Sequence, residues 1–219
     1  MRTVGFLHTA SVHAAAFGAL LEGQAHDLAG THVVDEALLS DARSRGVDDE
    51  IRGRLSARII ELRERGSCVV VCTCSTLGGA AEALSDSVGV PVVRVDRPMA
   101  EQAASIGGRI GILVAVESTR CLTRELLQQC LAISRRDAVL VESLCFDAWE
   151  RFEAGDTAGY VERLVHRAQG LAAEVDVIVL AQASMAAAAP RLADLQIPVL
   201  SSPAPAVAQA VQIARAGRA

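Results

Sequence analysis

Residues 69–84 read VVVCTCSTLGGAAEAL, and residues 177–192 read VIVLAQASMAAAAPRL. Each opens on a β-branched run, passes through a short polar turn and ends in an alanine-rich stretch. They are offset by 108 residues, and other landmarks repeat at nearly that distance. Val4-Gly5-Phe6-Leu7 matches Ile110-Gly111-Ile112-Leu113 at 106, and Val90-Pro91-Val92-Val93 matches Ile197-Pro198-Val199-Leu200 at 107. Pro98, Gln102 and Ala103 match Pro205, Gln209 and Ala210, again at 107. Landmarks in one order at one spacing mean that the chain repeats itself.

Outward from that repeat, short apolar β-branched runs alternate with amphipathic stretches. Residues 3–7, 31–35, 68–73, 90–94, 109–114, 138–141, 176–181 and 197–200 read as strands. Residues 48–64 carry Ile51, Leu55, Ile59 and Leu62 at helical spacing, open with acids and stop before Gly66. Pro98 and Pro205 sit where a first helical turn tolerates proline. Apolar strands separated by helices predict parallel sheets covered on both faces. The fold class is therefore α/β, with two pseudo-symmetric lobes, residues 1–107 and 108–219. The C-terminal helix is free to pack back across the first lobe, which would separate the sequence boundary from the spatial one.

Composition narrows the chemistry. The chain has 219 residues, 51% hydrophobic and only 3% aromatic, so its core is built from Ala, Val, Leu and Ile. Net charge is −5 with scattered arginines, which argues against nucleic acid as a partner. All 21 basic residues are arginine. A pyridoxal Schiff base and a Walker-type phosphate loop each need a lysine, so both are excluded. Six cysteines are too sparse for a disulfide scaffold and suit reduced thiols in a cytoplasm. The opening VGFLHTASVH has a polar break where a signal peptide needs an apolar run, and no apolar stretch reaches the ~20 residues of a membrane span. A cytoplasmic protein is expected.

In open parallel sheets, ligands bind beyond the carboxyl ends of strands. After the third strand comes Cys72-Thr73-Cys74-Ser75-Thr76, with Cys74 at the strand mouth and Cys72 deeper. A helix starting near Thr76 lowers the pKa of a thiol at its N-terminus. The hydroxyls of Ser75 and Thr76, with free helix amides, can receive a carboxylate. Cys68 and Cys72 read as small buried hydrophobes, and Cys121, Cys130 and Cys145 as structural. The Cys-x-Cys pair lacks the further ligands a zinc site needs, so no metal is expected.

These residues resemble the Asp/Glu racemase superfamily, which takes in amino-acid and hydantoin racemases, maleate isomerases and arylmalonate decarboxylases. The likeness spans nearly the whole chain. It rests on the duplicated lobes, on Cys74-Ser75-Thr76 where the family often has Cys-Asn-Thr, and on the second-lobe strand end LAQASM (180–185). The resemblance implies an active site between the lobes and no cofactor. It also implies two cysteines at the pseudo-symmetric strand ends, one removing the substrate α-proton and the other delivering it.

Cys74 matches the first-lobe cysteine, but its duplicate partner is Gln182. An amide has no usable pKa near neutrality, so Gln182 is a hydrogen-bonding group and not an acid or base. A racemase, isomerase or decarboxylase working with one thiol is expected, with Cys74 as acid/base or as nucleophile, although the resembling one-cysteine decarboxylase keeps its cysteine in the other lobe; otherwise the second acid is His8, His13 or Glu117. The resemblance also places carboxylate-binding residues after the first strand, at His8, Thr9 and Ser11. The matching second-lobe loop offers Glu117, Ser118 and Thr119, with Ala183 and Ser184 beside Gln182. Bland readings stand beside these: His8 as a capping loop histidine, Thr9 and Ser11 as helix caps, Glu117 as a solvated acid. Arg94 or Arg97 could lie near the cleft, but the preferred reading is a surface ion pair with Asp96. The expected partner is a small carboxylate substrate. Members of the family often form homodimers, though no surface stripe marks an interface. The alternative is a carboxylate-binding or regulatory protein of the same fold that has lost the chemistry.

Overall fold

The computed structural model describes residues 1–217. In chain order it runs β1 (Arg2–His8), α1 (Val12–Gln24), β2 (Leu28–Val34), α2 (Glu36–Arg45), α3 (Asp49–Glu64), β3 (Ser67–Cys72), α4 (Ser75–Glu82), α5 (Ser85–Val88), β4 (Val92–Arg94) and α6 (Arg97–Ile106). It continues β5 (Gly108–Val114), α7 (Glu117–Ser134), β6 (Ala138–Leu144), α8 (Phe146–Glu153), α9 (Thr157–Ala172), β7 (Val177–Leu180), a 3₁₀ helix (Ala183–Leu192), β8 (Val199–Ser201) and α10 (Pro203–Ala216). No helix among the described residues is long and apolar enough to cross a membrane.

Two four-stranded parallel sheets result, in the orders β2-β1-β3-β4 and β6-β5-β7-β8. Each repeat thus folds with the same topology. In each sheet the chain leaves the first strand toward one edge and returns to the other side of it. The point of reversal lies between β1 and β3 in one sheet, and between β5 and β7 in the other. That is where a parallel sheet opens a crevice at its carboxyl end.

The local chemistry matches the pattern. Asp48 caps α3 by accepting the Ile51 N–H at 2.9 Å, and Ile51, Leu55, Ile59 and Leu62 are all buried. Two glycines set how close the covering helices come. A Cβ at Gly5 would lie 2.8 Å from Ser67 Oγ and 3.2 Å from Leu62 Cβ. One at Gly111, its repeat counterpart, would lie 2.8 Å from Leu171 Cδ2. Helices α3 and α9 therefore pack where the central strand has no side chain. Strand ends differ by a few residues from the sequence reading. β2 begins at Leu28 because Leu28 pairs with Arg2, and β4 shrinks to Val92–Arg94 because Pro91 has no N–H to give the ladder.

The chain divides into two compact units, Met1–Val95 with the segment from Pro203 onward, and Asp96–Ser202. This moves the boundary from the 107/108 of the sequence reading. Helix α6, which closes the first repeat in sequence, packs on α7, β7 and β8 of the second unit. Helix α10, its counterpart, packs on α1, β1, β3 and β4 of the first. Each repeat contributes its last helix to the other unit. Within the first unit Arg2 donates to the carbonyls of Ala214 and Gly217, and Arg215 pairs with Asp27 at 2.7 Å, tying α10 down at its C-terminal end.

Candidate active site

In the first unit, β1 ends at His8 and β3 at Cys72, so Thr9 and Cys74 stand at the crevice of the sheet. Cys74 is the N-cap of α4, one residue earlier than a helix starting at Thr76 would make it, with extended backbone (φ −104°, ψ 114°). Hydrogen-bonding groups of Thr9, Thr76 and Leu77 surround its sulfur and act to lower its pKa. They are arranged for a thiolate, since helix N-terminal amides and hydroxyls stabilise negative sulfur. Burial nevertheless outweighs them, and the Cys74 pKa lies above its ordinary value. This corrects the expectation of a lowered pKa. The resting sulfur is therefore a thiol.

Beside it, Ser75 Oγ is buried without a hydrogen-bond partner. Arg94 and Asp96 are buried as well, which overturns their reading as a surface pair. The missing side chain of Gly79 leaves room for Arg94 Nη1, which lies 3.2 Å from where a Cβ would be.

His8 is no loop residue. It is the last residue of β1 and wholly buried, bonded through Nδ1 to Thr73 Oγ1 at 2.9 Å and through Nε2 to His32 Nδ1 at 2.9 Å. Burial, then the neighbouring His32 and His13, push its pKa down to about 3. It is therefore neutral at physiological pH and is not a base at the crevice mouth. Ser11 is exposed, and its backbone N–H donates to Glu36 at 3.0 Å. Of the first-lobe candidates, Thr9, Cys74 and Thr76 meet at one sulfur, with Ser75 adjoining; His8 and Ser11 lie apart from it.

The state of His8 makes the fold acid-labile. An unfolded histidine takes up its proton near pH 6.5, whereas native His8 refuses it until about pH 3. Between those values the unfolded chain holds a proton that the native chain lacks, so stability falls as pH falls from 6.5 toward 3. The part due to His8 is about 5 kcal/mol when complete. Urea unfolding at pH 7, 5.5 and 4.5 should show a falling midpoint, with a shallower fall in His8→Gln.

In the second unit the duplicated contact is built differently. Gln182 follows β7, is buried, and caps the 3₁₀ helix. Its Oε1 accepts the Ala115 N–H at 2.9 Å, and its Nε2 donates to Thr119 Oγ1. Ala115 and Gln182 are the repeat counterparts of Thr9 and Cys74. Where the first unit sets a hydroxyl against a sulfur, the second ties an amide to its own loop. Thr119 Oγ1 donates in turn to the Val116 carbonyl at 2.8 Å. Glu117 is exposed at the start of α7, 3.5 Å from Arg120, and Ser118 is half-buried. Ser184 is bonded to Tyr160 OH at 2.7 Å, and Ala183 brings no polar side chain.

Sequence reading missed Thr73, His32 and Tyr160. Tyr160 is the one tyrosine in the chain and sits at helical spacing with Leu164 and Leu171, which announces a core residue but not its hydroxyl partner.

The family model described as Asp/Glu/Hydantoin racemase matches residues 9–210. No curated protein matches the sequence significantly. Among solved structures, aspartate racemase from Picrophilus torridus superposes with a TM-score of 0.76 at 15% identity, over 98% of this chain and 95% of that one. Allantoin racemase from Klebsiella pneumoniae gives 0.69 at 17%, over 99% and 89%. Arylmalonate decarboxylase gives 0.62 at 19%, over 98% and 93%. At these identities the structural likeness speaks for the fold.

Proposed function

Since the chain belongs to the Asp/Glu/hydantoin racemase family, we propose that it acts without a cofactor at the α-carbon of a small carboxylate, using Cys74 as its single thiol acid. The observation that carries this is the contrast between the two strand ends. Cys74 has a buried thiol among the polar groups of Thr9, Thr76 and Leu77, while Gln182 has its carbonyl and one amide proton committed to Ala115 and Thr119.

A thiol that rests protonated favours reactions in which the carbanion is made by loss of a group. In a decarboxylation the C–CO2 bond breaks and its electron pair passes into an enolate on the remaining carboxylate. The α-carbon then takes the Cys74 proton, and the thiolate, held by its donors, regains a proton from water. Proton exchange through the same sulfur is the second reaction open to it, with retention of configuration. Racemisation by two thiols is not, because Gln182 cannot carry a proton. The unpartnered hydroxyl of Ser75 is the group left to receive the substrate carboxylate.

The test is incubation in D2O with pooled substituted malonates, amino acids and hydroxy acids, followed by NMR at the α-position. Deuterium incorporation that needs Cys74 supports the reading. Tight binding of a carboxylate with no exchange and no CO2 loss would transfer it to the binding-protein alternative.

A further inference from the structure

Behind the Cys74 strand end runs a polar chain that the chemistry above does not use. His32 of β2, His8 of β1 and Thr73 after β3 form it across three neighbouring strands. Thr73 Oγ1 also lies 3.1 Å from the Leu7 carbonyl. A carbonyl can only accept, so the hydroxyl proton goes to Leu7. Thr73 must then accept from His8, which puts the His8 proton on Nδ1. Being neutral, His8 has a lone pair on Nε2, and His32 donates to it from Nδ1. One tautomer of each ring satisfies every contact.

The seat of His32 is built for this. Its ring stacks on Phe6 at 5.0 Å between centroids, and it lies edge to edge with His8, within 10° of the same plane, as the N···N hydrogen bond requires. A Cβ at Gly30 would come 3.2 Å from His32 Nε2 and 3.3 Å from Leu21 Cδ2, so the strand carries a glycine where any side chain would crowd the ring. On its open side His32 lines a cavity of about 430 Å³ with Glu22 and His26. Two imidazoles among Phe6 and Phe17 are costlier to bury than apolar rings, and what they supply in return is direction. That direction is delivered to Thr73, whose N–H and hydroxyl both hold the Leu7 carbonyl and whose peptide leads into Cys74.

We propose that His32 is a positioning residue for Cys74: acting through His8, it orients the Thr73 hydroxyl and so holds the strand end that sets the Cys74 sulfur against its donors. The role rests on the reading of Cys74 as the working thiol, but its readout needs no turnover. His32→Phe keeps the stacked ring and removes the donor; His32→Asn restores an N–H near the place of Nδ1. Iodoacetamide alkylation of the full chain, followed at the Cys74 peptide by mass spectrometry across pH, is expected to move to higher pH in His32→Phe. The rate at pH 7 should be about tenfold lower. It should return toward wild type in His32→Asn. A folded His32→Phe protein with the wild-type alkylation profile overturns the proposal. So does equal loss in both variants, which would mark a purely structural ring. The native protein gives a second reading that no variant can spoil: ¹⁵N NMR should place the protons of His8 and His32 on Nδ1, and an Nε2-protonated His8 overturns the chain. Should the protein prove inactive toward every carboxylate while alkylation behaves as stated, only the proposed activity fails.

Discussion

Replacing Cys74 with alanine should abolish turnover, by at least about 10³-fold, while the protein stays folded. The change removes the titratable thiol at the first-unit crevice, which the polar groups of Thr9, Thr76 and Leu77 surround. Nothing at the second strand end can substitute, because Gln182 has no proton to exchange and is tied to Ala115 and Thr119. The structural cost is modest. One buried sulfur is lost and the Thr9 hydroxyl loses its partner, about 1–2 kcal/mol together, or a fall of roughly 2–6 °C in melting temperature. Cys74→Ser should be nearly as inactive, since a hydroxyl in that place neither gives nor takes a proton near neutrality. Steady-state rates beside thermal melts of both variants separate lost chemistry from lost fold.

The largest effect on stability is expected at α10. Ending the chain at Ser202 takes from the first unit the helix that buries Ala206, Val207, Ala210, Val211 and Ala214 against β1, β3 and β4. Two valines contribute roughly 1.5–3 kcal/mol each, the alanines less, and the uncovered strand face loses a similar amount. The sum is on the order of 10 kcal/mol, comparable with the whole net stability of a domain. The truncated chain should be insoluble, or should lose cooperative unfolding of its first unit by circular dichroism and denaturant titration. The loss should arise although the truncation leaves the entire first repeat in place.

That last point shows where sequence reading stops. Eight strands, the helix over 48–64 and the duplication were readable because periodicity and β-branched runs are local signals. The destination of α6 was not, and that of α10 was only an open possibility, since an apolar helix face does not say which sheet it will cover. At the candidate site the same line divides success from failure. Cys74 and Gln182 were singled out because the repeat aligns them. The bond from Gln182 to Thr119, the burial of His8 against His32, and the pairing of Ser184 with Tyr160 each join residues 24 or more apart, on different elements. The pKa of Cys74 erred in sign for a related reason. A helix N-terminus is visible in the sequence, whereas the burial that outweighs it is a property of the packed chain.

The most direct test of one-thiol chemistry is the stereochemical course at the α-carbon. A single enantiomer of an active substrate, or a prochiral disubstituted malonate, would be turned over in D2O and its product resolved by chiral chromatography with NMR. One-thiol chemistry at Cys74 predicts deuterium delivered to a single face: exchange with retention, or one enantiomer of the decarboxylated acid, all of it lost in Cys74→Ala. Inversion keeping pace with exchange would contradict the account, because it requires a second proton carrier where the structure has Gln182.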